Sequence, residues 1–246
     1  MKHFRTTLLL LSVLAVGCLT AQMAHADGIP VTLTFPGIPG PYVSWGGQYV
    51  SPYPVTLTQG GTAYPNTQVI CDQINAITYV PGTYNYEVYN GYTASNKTGG
   101  TQDQYDAAAY LSNMLITGNY SGLDSVSNFS SYSSADQRGI VAFAIWDIFV
   151  PHDSLSEYSG VPGMGVPLSY LDTVASAAMG ATAGVTNVPD FAVLVPDDAN
   201  AQPNGTVPQE FILIKTPESS AMALLVTYLT GLAGLVFVFR RKLARL

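Results

Sequence analysis

The chain is poor in cysteine, histidine and positive charge. Cys18 and Cys71 are the only cysteines in 246 residues. Cys18 lies in an apolar N-terminal run that is lost on export under the reading below, so the remaining chain has one thiol and cannot form an internal disulfide. Histidine occurs only at positions 3, 25 and 152, which leaves no multi-histidine metal centre. Between Asp27 and Glu218 the basic residues are Lys97, Arg138 and Lys215, against all 16 of the acidic ones. Binding to a phosphate backbone draws its affinity from Lys and Arg that release counterions, so this region is unsuited to nucleic acid. No glycine loop opening into a helix is available to cradle a nucleotide phosphate. The oxygen-ligand ladder of a calcium loop is missing as well.

The other six bases flank two apolar ends. Met1 to Ala26 has a basic start (Lys2, Arg5), an apolar run from Leu8 to Leu19, and Ala24-His25-Ala26 as a small-residue cleavage site. That is the pattern of a secretory signal peptide, residues 1–26. A competing cleavage at Ala15-Val16-Gly17-Cys18 would leave Cys18 for lipid attachment. At the far end Thr216-Pro217-Glu218-Ser219-Ser220 precedes an uncharged run from Ala221 to Phe239, followed by Arg240, Arg241, Lys242 and Arg245. As a helix rising roughly 1.5 Å per residue, 221–239 matches a hydrocarbon core of about 30 Å. The bases predict that the tail stays cytoplasmic and the preceding chain lies outside the inner membrane.

This tail resembles the PEP-CTERM sorting signal of Gram-negative bacteria, a Pro-Glu-Pro-like motif, an apolar helix and an Arg-rich end read by an exosortase. The resemblance covers residues 216–246 and implies recognition and cleavage at Thr216, Pro217, Glu218 and Ser219, with Arg240, Arg241, Lys242 and Arg245 as the cytoplasmic basic anchor. Ser219 stands where the family has its second proline, and a plain single-pass anchor is the alternative.

The exported segment, residues 27–215, is long enough for one well-cored domain or two small ones. Short Val, Thr and Tyr runs broken by Pro and Gly predict strands over 28–95: VTLTF at 31–35, VTLT at 55–58, then Gln68 to Val80 and Tyr84 to Tyr89, with Pro81-Gly82 turning between the last two. Helical spacing then begins at Asp103 and stops at Gly118. A second helix is expected over Ala135 to Phe149, opened by a Ser134/Gln137 capping box, ended by Pro151 and apolar on nearly every face, hence buried. A third runs from Leu168 to Met179, so helices occupy 101–180. Strand character returns at Phe191–Val195 and Glu210–Lys215, within 190–215. Strands, helices, strands give an α+β fold: an antiparallel β-sandwich or barrel-like sheet with an inserted helical subdomain, plus the C-terminal transmembrane helix.

Cys71-Asp72, Ala107-Ala108-Ala109-Tyr110-Leu111 and Ala144-Ile145-Trp146-Asp147, in that order, resemble the thioester-domain adhesins of bacterial surfaces. The resemblance covers roughly 42–195. In that family a strand cysteine displaces ammonia from a glutamine that precedes an Ala-Ile-Trp segment. The matching glutamine position here is Ala142, and a methyl group has no carbonyl to acylate. Val141 likewise stands where Thr is frequent. The resemblance therefore implies the fold without the bond: Cys71 and Ala142 are the thioester-like positions, expected to be unbonded. Gln137, Gln73 and Gln68 are the nearest displaced glutamines.

Other chemistries are thinly supported. Cys71 with His152 and an orienting Asp147 or Asp153 would make a cysteine hydrolase, but no nucleophile signature surrounds Cys71. Asp147, His152, Asp153 and Glu157 offer scattered oxygen and nitrogen ligands, as do Asp197, Asp198 and Asn200. The expectation is no enzyme, no cofactor and no metal. Tyr42 to Tyr64, with Trp45, offers aromatic rings that could stack on sugars or simply fill half-buried strand positions. Sequons at Asn96, Asn119, Asn128 and Asn204 are short enough to arise by chance. The expected protein is a non-enzymatic surface or matrix component. Its partners are an exosortase-type processing enzyme, the inner membrane and an extracellular polysaccharide or matrix, with a carbohydrate-binding or covalent adhesin as alternatives.

Overall fold

The computed structural model describes residues 28–37, 44–45, 48–50, 52–74, 76, 78–150, 166–184, 188–197 and 206–215. The expected signal peptide with Cys18, the segment carrying His152, Asp153 and Glu157, the Asp198–Asn200 stretch, and residues 216–246 with the expected sorting motif, apolar run and basic end lie outside the described residues. Among the described residues no helix is long and apolar enough to cross a membrane.

Among the described residues the fold has eight strands and three α-helices: β1 (Ile29–Phe35), β2 (Ser44–Trp45), β3 (Gln48–Tyr49), β4 (Tyr53–Gln59), β5 (Thr62–Cys71), β6 (Gly82–Asn90), α1 (Gln102–Thr117), α2 (Ser134–Phe149), α3 (Leu168–Thr182), β7 (Phe191–Pro196) and β8 (Phe211–Ile214). Six strands close into an antiparallel barrel in the order β1-β4-β5-β8-β7-β6, and β2 and β3 pair separately. The three helices enter the chain between β6 and β7, so the α+β expectation holds. Of the two sheet forms anticipated, the chain adopts the barrel. Closure follows from where the last two strands land, because β8 pairs with β7 on one side and reaches β5 on the other.

The barrel interior follows a period of two. Val31, Leu33 and Phe35 on β1 and Val55 and Leu57 on β4 are buried, with half-exposed Thr residues between them. β7 is buried along its whole length, having neighbours on both faces. Phe211 sits among Phe35, Tyr53 and Tyr86, with ring centroids 5.5, 6.2 and 6.0 Å away. The outer half of β5, from Thr62 to Asn66, is exposed, and it pairs only with β4. Pro65 and the left-handed Asn66 (φ 59) interrupt that edge and blunt it against further strand pairing.

Several boundaries differ from the sequence reading. The strand expected over Gln68 to Val80 ends at Cys71. Past that point the chain turns Asp72 and Ile74 into the interior instead of continuing the ladder, and β6 begins at Gly82. α2 opens one residue earlier than expected: Ser133, not Ser134, is the cap and accepts from the Asp136 amide. Gln137 instead donates from Nε2 to the Phe129 carbonyl at 3.1 Å, so the Ser134/Gln137 box does not form. A complete capping box sits on α1, where Thr101 Oγ1 accepts from the Gln104 amide and Gln104 Oε1 accepts from the Thr101 amide. α1 stops at Gly118, which takes the left-handed conformation (φ 66) that an L-residue enters only with strain.

The helices pack on one another and α1 packs against β8. In α2 an unbroken run from Gly139 to Trp146 is buried. Such burial on every side leaves no solvent-facing stripe, as the sequence predicted. Ala107, Ala108 and Ala109 on α1 are fully buried and short enough to let neighbouring backbones approach closely.

Candidate functional site

The residues singled out in the sequence meet where the barrel closes. β5 and β8 share only two register pairs, Ile70 with Ile212 and Cys71 with Phe211, so this is the shortest seam in the barrel. Side chains extend it past the strands. The Glu210 amide donates to Gln73 Oε1 at 3.1 Å, and Gln209 Nε2 donates to the Gln73 carbonyl at 2.9 Å. The Gln209 amide donates to Thr78 Oγ1 at 3.0 Å, and Tyr86 donates its hydroxyl proton to the Gln209 carbonyl at 3.1 Å. None of these bonds is visible in a strand pattern. They depend on the chain leaving the ladder at Asp72.

Cys71 is the last residue of β5, buried, and in the reduced form. Its thiol donates to the Gln73 carbonyl at 3.4 Å. Its own carbonyl accepts from Trp146 Nε1 at 3.0 Å, a buried bond that ties α2 to the seam. Burial, and then the nearby Asp72 carboxyl, push the Cys71 thiol up to about 12. At neutral pH it is therefore a protonated thiol and a poor nucleophile, since the thiolate is the attacking form.

Ala142 is buried one helical turn before Trp146, on the same face of α2. The Trp146–Cys71 bond thus ties the end of β5 to α2, and Ala142, one turn earlier, offers only a buried methyl group. The displaced glutamines are otherwise engaged or remote. Gln73 spends its side-chain oxygen on the Glu210 amide, Gln137 is bonded to Phe129 near the start of α2, and Gln68 is exposed on β5. Asp147 is on α2, whereas His152 and Asp153 lie outside the described residues, so the hydrolase grouping has no described base. Among the described residues no group of three or more His, Cys, Asp or Glu is placed to hold a metal.

No protein-family model and no curated protein matches the chain. In structure it is similar to the N-terminal thioester domain of a surface protein from Clostridium perfringens, at 10% identity and a TM-score of 0.45, covering 76% of this chain and 98% of that one. It is also similar to the N-terminal domain of the Streptococcus pyogenes pilus tip adhesin Cpa, at 9% identity and a TM-score of 0.39, covering 79% and 96%. Likeness at this level carries no functional argument. The chemistry of the seam rests on this chain's own residues.

Sequence reasoning missed a buried acid cluster beside Cys71. Asp72, Glu210 and Tyr105 are all fully buried. Glu210 accepts from the Tyr105 hydroxyl on Oε1 and from the Lys97 amide on Oε2, the latter at 2.6 Å. Tyr105 also bonds Thr98 Oγ1 at 2.8 Å and stacks against Phe149 and Tyr92, with centroids 4.8 and 5.8 Å away. Burial raises both carboxyls above their ordinary range. For Asp72 the charge of Glu210 adds to the rise, while for Glu210 the Tyr105 and Lys97 donors hold it down. Asp72 follows Cys71 directly, and the only available signal was that an acidic residue ended an otherwise apolar strand.

Proposed function

We propose that this chain is an exported, non-enzymatic surface or extracellular-matrix protein whose barrel domain serves as a non-covalent adhesive or structural unit. Its C-terminal tail anchors it in the inner membrane and, if an exosortase acts at Thr216 to Ser219, releases it to the cell exterior. One observation carries the non-covalent part. Ala142, one turn before the Trp146 that bonds the Cys71 carbonyl, has no side-chain carbonyl to acylate, and burial keeps the Cys71 thiol protonated. No electrophile can form between those two side chains. The topological part is supported by the six of nine basic residues that flank the two apolar ends.

Mass spectrometry of the protein recovered from the producing cell separates these readings. The expected mature mass contains an unmodified Cys71 and lacks the tail. A mass lower by one ammonia would establish an internal thioester or a related bond and overturn the non-covalent reading. An intact tail on protein at the cell surface would overturn processing. Protection of the barrel domain from protease added to spheroplasts would overturn the orientation.

A second reading, binding of an extracellular polysaccharide, is favoured by Tyr64, which is 48% exposed on the outer half of β5 within the aromatic segment Tyr42 to Tyr64. Aromatic rings take up the apolar faces of sugars. Glycan binding that falls on Trp45→Ala or Tyr64→Ala would support it, and no binding to any glycan would remove it.

A further inference from the structure

The acid cluster at the barrel seam has a feature that its hydrogen bonds leave unexplained. Both Asp72 oxygens are buried, and neither meets a donor of ordinary geometry. A buried carboxylate with no donor carries its whole desolvation cost uncompensated, and each such group in a folded protein needs a physical reason. Glu210 is the opposite case, with a donor on each oxygen. Of the neighbouring groups the Glu210 carboxyl acts most strongly on Asp72, as a charge and as a hydrogen-bond partner, and the Asp72 backbone amide only partly offsets it. Two carboxylates cannot sit side by side in an apolar interior, whereas a carboxylic acid beside a carboxylate can, with the acid as the missing donor.

We propose that Asp72 is a neutral carboxylic acid in the folded protein at neutral pH and donates its proton to Glu210, forming a clasp across the β5–β8 seam that acid tightens. The assignment of the proton to Asp72 follows from the partners. Glu210 already accepts from Tyr105 and Lys97 and so is the better anion. The groups around the pair cannot supply the proton's charge in another way. Cys71 on β5 is a protonated thiol, Tyr86 on β6 and Tyr105 on α1 are neutral phenols, and α2 contributes the neutral indole of Trp146. Among the described residues, Lys97 in the β6–α1 connection is the cation that acts on the pair, and it acts on Glu210.

The direction of the pH effect follows from proton counting. The folded state holds a proton on Asp72 that the unfolded chain releases above the ordinary carboxylate range near 4. Stability from the clasp is therefore fully present below that range and is lost as pH rises through the folded value. Within that window the unfolding equilibrium constant rises by up to about tenfold per pH unit for one proton. The seam is where such a proton has most effect, because only two register pairs close the barrel there. This inference is independent of the adhesin reading.

The test compares full-length protein with Asp72→Asn, in which an amide replaces the acid with a permanent donor of the same shape. Urea unfolding is followed at a series of pH values from about 4 to 8. The expected result is that the wild type loses stability relative to Asp72→Asn as pH rises, the ratio of their unfolding constants changing by up to about tenfold per unit. A constant ratio across the range would overturn the proposal, as would a variant that weakens relative to the wild type with rising pH. Should Asp72→Asn fail to fold, infrared spectroscopy of the wild type at neutral pH decides instead. A carbonyl band of a protonated carboxylic acid, insensitive to solvent, is expected, and its absence would overturn the assignment.

Discussion

Replacing Trp146 by Phe tests whether the indole bond to Cys71 holds the helices to the barrel. The substitution keeps an aromatic ring that can pack against Phe143, whose centroid lies 4.7 Å from that of Trp146, but it removes Nε1. The Cys71 carbonyl, which accepts from that nitrogen at 3.0 Å, then loses this buried hydrogen bond. Removing one partner of a buried hydrogen bond costs about 1–3 kcal/mol, and the smaller ring adds a cavity cost, as in other large-to-small core changes. The sum should be at least about 1.5 kcal/mol, and a domain of this size loses roughly 2–4 °C of Tm per kcal/mol. Urea unfolding should show a lower midpoint with an unchanged m value, since the surface exposed on unfolding is nearly the same. Alkylation of Cys71 in native buffer should also quicken, because opening of the seam is what exposes the thiol. A midpoint equal to that of the wild type would refute the view that this bond couples α2 to the closing strand.

Other outcomes follow from the same geometry. Cys71, with its thiol pushed up to about 12 and fully buried, should resist iodoacetamide in native buffer at neutral pH and react completely in denaturant; rapid native labelling would show an accessible thiolate. Tyr105→Phe removes a donor from the Glu210 carboxyl and should cost about 1.5–3 kcal/mol. Because that donor holds the Glu210 carboxyl down, its loss raises the folded value further, so the deficit should be greater at neutral pH than near pH 4; a pH-independent deficit would show that the bond does not govern the charge there. Thr101→Ala should cost about 1 kcal/mol, because Thr101 is the α1 cap, whereas Ser134→Ala should be close to neutral, because Ser133 caps α2.

Most secondary structure was legible along the chain, since it is written in local signals. Thr at alternate positions marked β1 and β4, Gly118 marked the end of α1, and the unbroken apolar run from Ile140 to Trp146 marked a helix with no outer face. The strand expected to continue through Val80 shows where such signals run out. Residues 72–80 are apolar enough for a strand, but the ladder ends at Cys71 and Asp72 is buried beside Glu210 on the closing strand's flank, a neighbour to which periodicity is blind. The capping boxes show the same limit. Thr101 and Gln104 have the required spacing as fully as Ser134 and Gln137, and only the packed position of Phe129 diverts Gln137.

The sequence by itself determined the order of strands and helices, the single thiol between Asp27 and Glu218, the charge asymmetry between body and ends, and the methyl side chain at position 142. Each of these is a matter of residue identity or of spacing within a few positions. The tertiary structure decided that the sheet closes as a barrel, that Trp146 reaches the Cys71 carbonyl, and that Asp72 meets Glu210. Those two carboxyls are far apart in the chain, and what each becomes is set by the burial and the donors around it. An acidic side chain in a sequence reads as charge, and only the fold makes one of this pair an acid and the other its anion.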